Sequence, residues 1–399
     1  MSVGEALQPR LDRLQTQALI AGAIGLGVCL LVALIRPGAF FPSYLVAYLF
    51  WVGIALGCVS ITMLHHLVGG SWGWPVRRPL ESGAMTIIPM AVLFLPLVLG
   101  MQTLYPWARP EAGHDPILLH KRAYLNPGGF VLRAVIDFGL WGVFAYLLNR
   151  WSLQQDRMAD IAPTRRLRTL SGPGLAILFL TASFAAIDWI MSIEPHWYSS
   201  IYGAMIIVGM GLETFAFAIV VASLLARYEP VRSVATPTRF QDLGNLMLAF
   251  VMLWAYIAFS QFLIIWCGNL TEEIPWYLRR TRGGWQYVAL ALILFHFFAP
   301  FFFLLFRETK RRLPLLMGVA LAIIVMHLVD LFWLVIPPYA GTNPTYTLID
   351  LFVVLIATVG IGGIWVTFFL RQLKGKPLIP LHDPDINPDV EISPPGGNV

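Results

Sequence analysis

The residues best suited to chemistry lie in a short stretch, 185–203, between two long apolar runs. It reads A-A-I-D-W-I-M-S-I-E-P-H-W-Y-S-S-I-Y-G and combines three ionisable residues with four aromatic ones. Ionisable side chains near hydrocarbon are costly to bury, and in membrane proteins they usually mark a functional site. An acid and an imidazole beside an apolar aromatic cavity would suit a quinone, because a quinol releases two protons as it gives up two electrons. The candidates for such a quinone-type pocket are Asp188, His196, Trp197 and Tyr198.

The aromatic residues of this stretch also have a simpler interpretation. Tryptophan and tyrosine are enriched where a membrane meets water, so these rings could form only an interfacial belt. A belt does not require an acid such as Asp188 a couple of helical turns below it. Both interpretations therefore stand at this point.

Further ionisable residues lie inside other apolar runs, at depths that follow from a rise of about 1.5 Å per helical residue. Three aspartates fall about 9–12 Å below the outward surface. A glutamate and two histidines fall near the midplane, and two more histidines close the second run on the cytoplasmic side. This series predicts a proton-transfer path through most of the membrane. Its candidates are Asp188, Asp137, Asp330, Glu213, His327, His296, His65 and His66.

Two pairs of these residues have helical spacing that puts them on one face. Arg133 and Asp137 are four residues apart, and His327 and Asp330 are three apart. Each pair could be a neutralising contact within the core or part of the proton path. Glu213 has no ionisable partner within four residues, so it must find one on another helix or stay protonated.

Haem ligation by His296 and His327 is an alternative, because the two histidines stand at similar depths on consecutive runs. The phenylalanines on both sides of His296 leave little room for a macrocycle and argue against it. The three cysteines are widely spaced and form no C-x-x-C motif. We therefore expect no metal site, covalent haem or iron–sulfur cluster in this chain.

Composition identifies the class of protein. Of 399 residues, 58% are hydrophobic and only 12% charged, whereas soluble proteins have roughly 25% charged residues. The apolar runs are continuous rather than alternating, which predicts membrane-spanning helices and excludes a barrel. The fold class is therefore an all-α integral membrane protein. Its ten predicted spans are 18–35, 44–68, 84–105, 129–151, 173–194, 200–226, 243–269, 284–306, 314–336 and 347–371.

The distribution of Lys and Arg predicts the orientation in the membrane. Nineteen of these residues fall on the side of the N-terminus and seven on the opposite side, and the richer side is normally cytoplasmic. We therefore expect both termini in the cytoplasm. The transmembrane domain would cover 1–376. The Pro-rich, acidic tail 377–399 should be irregular or disordered unless it lies against another subunit.

Two long segments resemble a known family. One is F-A-A-I-D-W-I-M-S-I-E-P-H-W-Y-S-S-I-Y-G (184–203), and the other is W-A-Y-I-A-F-S-Q-F-L-I-I-W-C-G-N-L-T-E-E-I-P-W-Y (254–277). They resemble the F-type membrane subunit of alternative complex III, in the polysulfide-reductase or NrfD-type family. The resemblance implies ten helices, arranged as two four-helix bundles plus a flanking pair, in the inner membrane of a bacterium.

The same resemblance implies a role in a complex that oxidises quinol and passes electrons to a cytochrome c or another acceptor. Haems and iron–sulfur clusters would reside on partner subunits, and a quinone such as menaquinone is the possible bound cofactor. The partners would include a related NrfD-type membrane subunit, iron–sulfur and cytochrome c subunits, and lipids, but no nucleic acid. Because the family places quinol oxidation in the sister subunit, the resemblance favours proton handling by Asp188, Asp137, Glu213, His327 and Asp330.

The leading hypothesis is therefore a membrane subunit of a respiratory quinol-oxidising complex that supplies a proton route, a quinone-type pocket, or both. The chain shows no redox centre of its own, so electrons would pass through its partners. A secondary transporter, with midplane charges at discontinuous helices, is the first alternative. A structural scaffold whose acids are simply paired is the second.

Overall fold

A computed structural model describes residues 7–157, 160–340 and 348–383, the last range with side chains from 351 onward. This part of the chain is helical and contains no strand. Ten helices are long and apolar enough to cross a membrane, so the chain is an all-α multi-pass membrane protein, as its sequence predicts. They are α1 (Gln8–Ile35), α2 (Pro37–Val68), α3 (Arg77–Leu99), α4 (Pro127–Arg157), α5 (Ala162–Trp189), α6 (Tyr202–Leu225), α7 (Pro237–Gly268), α8 (Trp285–Leu305), α9 (Leu313–Val335) and α10 (Leu348–Lys374).

The helices form two four-helix bundles and a flanking pair. Helices α2 to α5 pack in a ring as the first bundle, and α6 to α9 pack in a ring as the second. The bundles meet where α2 lies against α6 and α9, and where α5 lies against α6. The pair α1 and α10 packs against α2. Because α2 has neighbours on all sides, it is buried around nearly its whole circumference, which explains a sequence without a polar face.

We call the end where α1 begins and α10 ends the terminal face, and the other end the distal face. Lys374, the last residue of α10, pairs with Asp12 near the start of α1, so both described chain ends meet there. Residues 375–383, after α10, are not helical, and the rest of the predicted tail lies outside the described residues. However, they pack on this chain itself: Leu378 is buried, and Asp383 pairs with Arg77 at the start of α3.

Small residues let α1 and α10 approach closely. A Cβ atom added at Gly25 would stand 2.7 Å from the Cα of Gly360, and one added at Gly363 would overlap backbone atoms of Ala18 and Gly22. Small residues at such contacts are a common means of helix association in membranes, where apolar side chains gain little by leaving lipid.

This contact makes Gly363→Leu strongly destabilising. The new side chain has no space, so α10 must move away from α1, at a cost of about 3 kcal/mol or more. We expect a clear fall in the thermal midpoint of the purified protein, measured by tryptophan fluorescence in detergent. Gly27→Leu is the matched control, because an added Cβ at Gly27 meets nothing within 4 Å. Equal midpoints for the two variants would contradict this account of the contact.

Two helices are irregular at proline residues. Helix α3 consists of the pieces Arg77–Ala84, Ile87–Leu93 and Leu95–Leu99. Helix α8 widens into a π-helix over Leu292–Phe298, immediately before Pro300. A proline inside a helix lacks an N–H and its ring crowds the carbonyl four residues earlier, which for Pro300 belongs to His296. The π-helix accommodates this conflict, and such segments often occur at functional sites.

Candidate functional site

The midplane candidates meet in the centre of the second bundle. Glu213 comes from α6, Trp254 from α7, His296 from α8, and His327 and Asp330 from α9, so all four helices contribute. We call these five residues the core cluster. Every member is buried, and Glu213 and His296 have no measurable exposure.

The core cluster forms a connected series of polar atoms. Nε2 of His327 stands 3.5 Å from Oε2 of Glu213, and its Nδ1 stands 3.9 Å from Oδ2 of Asp330. Trp254 donates from Nε1 to Oδ2 of Asp330 at 3.2 Å. The two longer distances exceed the usual hydrogen-bond range of about 2.7–3.2 Å. Asp330 is thus held by Trp254, while His327 lies between the two carboxyl groups without bonding tightly to either.

Several polar atoms of the core cluster have no hydrogen-bond partner among the described residues. They are both carboxyl oxygens of Glu213, both ring nitrogens of His296 and Nδ1 of His327. An unpaired buried polar group costs roughly 1–3 kcal/mol on protein scales. A bundle needed only for its packing gains nothing from carrying five such atoms at its centre. The cluster is therefore the strongest candidate for a functional site.

Backbone features create the room for these side chains. A Cβ added at Gly209 of α6 would stand 2.8 Å from Cε1 of His327, and one added at Gly53 of α2 would stand 3.1 Å from Oε2 of Glu213. The ring of His296 lies across Trp254, with centroids 4.4 Å apart and planes nearly perpendicular. Glycine on two helices and the π-helix of α8 thus position the carboxyl and imidazole groups.

The core cluster includes a possible set of metal ligands. One atom each from His296, His327 and Asp330 can be chosen so that all three lie within 4.8 Å of one another. Ligands about 2.0 Å from a tetrahedral zinc ion would lie about 3.3 Å apart, so at that separation the side chains would have to close in further. The arrangement is looser than a preformed metal site requires.

A second polar site lies in the distal half of the first bundle. Arg133 of α4 binds Asp188 of α5 through two contacts, Nε to Oδ2 at 2.6 Å and Nη2 to Oδ1 at 3.1 Å. Of the two alternatives that the spacing of Arg133 and Asp137 left open, the neutralising pair is not formed, because the carboxylate of Asp188 on the neighbouring helix binds the guanidinium. Asp137, one turn further along α4, is left with a buried Oδ2 that has no hydrogen-bond partner in the described structure. The ring of Tyr124 covers Arg133, 3.9 Å from its Cζ.

The four quinone candidates do not converge on one cavity. A cavity of about 310 Å³ has Trp197 and Tyr198 in its wall, together with Tyr124, Lys121, Met191 and other residues. Asp188 does not line that cavity, and its carboxylate is bound by Arg133. His196 is exposed and bonds through Nε2 to Asp115 at 2.6 Å. The acid and the imidazole needed to take protons from a quinol are thus not presented to the cavity, and the fit to a quinone is poor.

Glu194, the third ionisable residue of the 185–203 stretch, joins the two bundles. Its carboxylate pairs with Arg279 at 2.6 Å and with Arg280 at 2.7 Å, both on the short helix Ile274–Arg280 that precedes α8. Trp197 stacks on Trp276 of that helix with ring centroids 4.7 Å apart. Burial lowers the pKa of Arg280, and the facing Glu194 carboxylate opposes that shift. The short helix Ile274–Arg280 is therefore held against the turn between α5 and α6.

The terminal face of the first bundle holds a buried charge network that sequence reasoning missed. Glu81 of α3 accepts hydrogen bonds from Nε of Arg77 at 2.9 Å, Nη1 of Arg78 at 2.7 Å and Oγ of Ser152 at 2.5 Å. The other members are Gln155 and Asp156 of α4 and, from the tail, Lys376 and Asp383. We call this set the terminal network. The spacing R-R-x-x-E was visible in the sequence, but the predicted third span began only at residue 84.

His65 and His66 lie at the terminal end of α2, close to this network. Both are buried, and the ring of His65 packs against Trp72 with centroids 4.9 Å apart. Gly73 lies so close to His65 that any side chain there would overlap the ring.

Lys376 gives the terminal network a pH dependence. Burial lowers the pKa of this lysine to about 8, from 10.5, because its ammonium group has left water and Arg78 adds a like charge. The charged form therefore weakens the folded state below pH 8, and this penalty, at most about 3 kcal/mol, disappears as the pH rises towards 10.5.

We expect Lys376→Met to flatten the pH dependence of the thermal midpoint between pH 8 and 10.5. The variant should be at least as stable as the natural protein at pH 7, because it buries no charge there. Subtracting the two pH profiles isolates Lys376 from other groups that titrate in the same range. Profiles that run parallel from pH 7 to 10.5 would contradict this assignment.

The proton-transfer candidates thus fall into separate sites rather than one series. Glu213, His296, His327 and Asp330 share the core cluster. Asp137 and Asp188 lie in the other bundle, and His65 and His66 lie at the terminal face. Depth along the helices was estimated from sequence, but depth does not specify which helices are neighbours.

The sequence was compared with protein-family models and with curated proteins. No protein-family model matches the chain, and no curated protein matches it significantly. The functional argument therefore depends on the residues and their geometry.

Proposed function

We propose that this chain is a membrane subunit of a respiratory quinol-oxidising complex and that it conducts protons through the core cluster. The observation that carries the proposal is the series Asp330, His327 and Glu213, buried at the centre of a membrane bundle with unpaired polar atoms. Carboxyl and imidazole groups are the side chains that exchange protons most readily near neutral pH. Electrons would pass through partner subunits, as the resemblance to alternative complex III implies.

Polar residues extend this series towards the distal face. Along α9, Asp330 lies nearer that face than His327 does. The buried Tyr202 is close enough to Arg280, Glu194 and Asp330 for their charges to act on it. Arg279, which pairs with Glu194, is largely exposed. A distal branch through Asp330, Tyr202 and Glu194 is therefore part of the proposal.

Towards the terminal face, the series continues through small polar groups. Thr214 follows Glu213 on α6 and has a buried hydroxyl without a described hydrogen-bond partner. Cys58 of α2 is within electrostatic reach of Glu213, and its Sγ lies against Gly83 of α3, next to the terminal network. The terminal branch would therefore run along the contact between the two bundles.

This arrangement favours proton transfer over the two alternatives. A scaffold would pair its buried acids, as Asp188 is paired by Arg133, whereas Glu213 has no hydrogen-bond partner in the described structure. A transporter needs a substrate cavity near the midplane. Neither the cavity with Trp197 and Tyr198 in its wall nor a groove on the surface of α4 is lined by a residue of the core cluster.

The test of the complex is purification of the full-length chain from its native membranes through an N-terminal tag. The expected preparation contains haem and iron–sulfur subunits and oxidises quinol with a soluble acceptor such as cytochrome c. Isolation of the chain alone, with no redox subunit under several mild detergents, would contradict the respiratory role. Substrate uptake by vesicles that hold only this chain would favour transport instead.

A further inference from the structure

A groove on the outer surface of α4 is lined mostly by polar and positively charged side chains, whereas the rest of that surface is apolar. It has a volume of about 380 Å³ and is lined by Tyr146, Asn149, Arg150, Leu153, Gln154 and Arg157. These residues occupy the last three turns of α4, at the terminal face. No other helix contributes to the lining, so the groove opens to the surroundings of the bundle.

The two arginines of the groove carry positive charges without partners. Arg150 and Arg157 are exposed, and neither pairs with a carboxylate in the part of the chain that the structure describes. Arg150 lies beside the hydroxyl of Tyr146, at 3.5 Å. The arginines are seven residues apart, which places them on one face of the helix about 10 Å apart along its axis.

The same face of α4 becomes apolar as it continues into the membrane. Val143, Ile136, Val135 and Leu132 follow Tyr146 at helical spacing, and each is at least half exposed. The surface therefore combines an apolar strip the length of an acyl chain with two guanidinium groups and a phenol at the headgroup level.

We propose that this face of α4 binds one anionic phospholipid, with its phosphate between Arg150 and Arg157 and its acyl chains along the strip from Tyr146 to Leu132. Guanidinium groups bind phosphate oxygens with two parallel hydrogen bonds, which favours phosphate over other lipid headgroup atoms. Arg165 and Arg166, at the start of α5, are also exposed at the terminal face and add to its positive potential. This site is separate from the core cluster and does not depend on the proposed proton route.

The test is native mass spectrometry of the full-length chain, with any subunits it retains, after exchange into nanodiscs of defined lipid. In nanodiscs of equimolar phosphatidylglycerol and phosphatidylethanolamine, we expect the protein to retain one bound phosphatidylglycerol molecule when it is released from the disc. The double variant Arg150→Gln, Arg157→Gln should weaken binding of this lipid roughly 30-fold, because each basic residue near anionic lipid contributes about 1 kcal/mol.

The matched control is Arg227→Gln, Arg232→Gln, which removes two exposed arginines elsewhere on the terminal face. It should retain the lipid at the natural occupancy. Equal retention by both double variants, or equal binding of the two lipids by the natural protein, would overturn the proposal. So would a photo-crosslinker at Tyr146 that captures another protein subunit instead of lipid in native membranes.

Discussion

Glu81→Leu should prevent the chain from accumulating as a folded protein. Glu81 is the shared acceptor of Arg77 and Arg78, and all three side chains are almost fully buried. Removing one partner of a buried ion pair typically costs about 3–5 kcal/mol, and here one substitution breaks two pairs. Total stabilities of folded proteins are only about 5–15 kcal/mol. The measurement is the monodisperse fraction of a fluorescent fusion on size-exclusion chromatography, together with its thermal midpoint.

Glu308→Leu is the matched control for that substitution. Glu308 pairs with Arg312 at 3.2 Å, but both side chains are mostly exposed, and exposed pairs contribute only about 0–1 kcal/mol. The control should behave like the natural protein. If Glu81→Leu also gave a natural yield and midpoint, the terminal network would not stabilise the first bundle.

Glu213→Gln should abolish most of the proton movement coupled to quinol oxidation by the complex. Glutamine keeps the shape and the hydrogen-bonding capacity of glutamate but cannot take up or release a proton. A well-placed acid–base group contributes about 10²–10⁴-fold to proton transfer, so we expect a loss on the order of 10²-fold or more. Asp330→Asn should also reduce proton movement, because asparagine cannot take up or release a proton. The fold should be retained, because the side-chain oxygen of asparagine can still accept the hydrogen bond from Trp254. The measurement is proton release by proteoliposomes containing the complex, per electron delivered to the acceptor.

Glu272→Gln provides the control, because Glu272 is exposed on the distal face and forms no ion pair in the described part of the chain. It should leave proton release unchanged. The thermal midpoint of Glu213→Gln should not fall, since a neutral amide replaces a carboxyl group in an apolar core. Natural proton release by Glu213→Gln would exclude the core cluster from the path, even if the chain belongs to a respiratory complex.

The sequence predicted the helices well because hydrocarbon imposes a strong rule on them. Each span needs a run of about 20 apolar residues, and all ten predicted runs coincide with helices. The helix ends differ by several residues: α2, for example, begins at Pro37 rather than at 44. Hydropathy locates only the apolar part of a helix. A helix can begin earlier, at a proline in its first position, or continue into charged residues, and neither extension is visible in the apolar run.

The partners of the buried charges could not be predicted, because they depend on which helices are neighbours. Arg133 illustrates this limit. Its spacing from Asp137 indicated a contact along one helix, yet Asp188 on α5 offers two oxygens to its planar guanidinium. The packing of α4 against α5, which the spacing along α4 does not reveal, therefore decides which carboxylate Arg133 binds.

Four of the five core-cluster residues were predicted as proton-transfer candidates, but their geometry was not. Glu213, His327 and His296 were expected near the midplane and Asp330 nearer the outward surface. Glu213 was expected either to find a partner on another helix or to stay protonated. His327 is that neighbour, at 3.5 Å. The role of Trp254 was not foreseen, because a tryptophan in an apolar run gives no signal that its N–H holds a carboxyl group.

The most direct test of the central proposal is the infrared difference spectrum of the complex during quinol oxidation. If Glu213 exchanges a proton in each turnover, the spectrum contains a protonated carboxyl band that shifts in heavy water and disappears in Glu213→Gln. Glu272→Gln should retain the band. If the Glu213→Gln complex gave the same spectrum and the same turnover rate as the complex with the natural protein, Glu213 would keep one protonation state throughout. That result would contradict the proposed route.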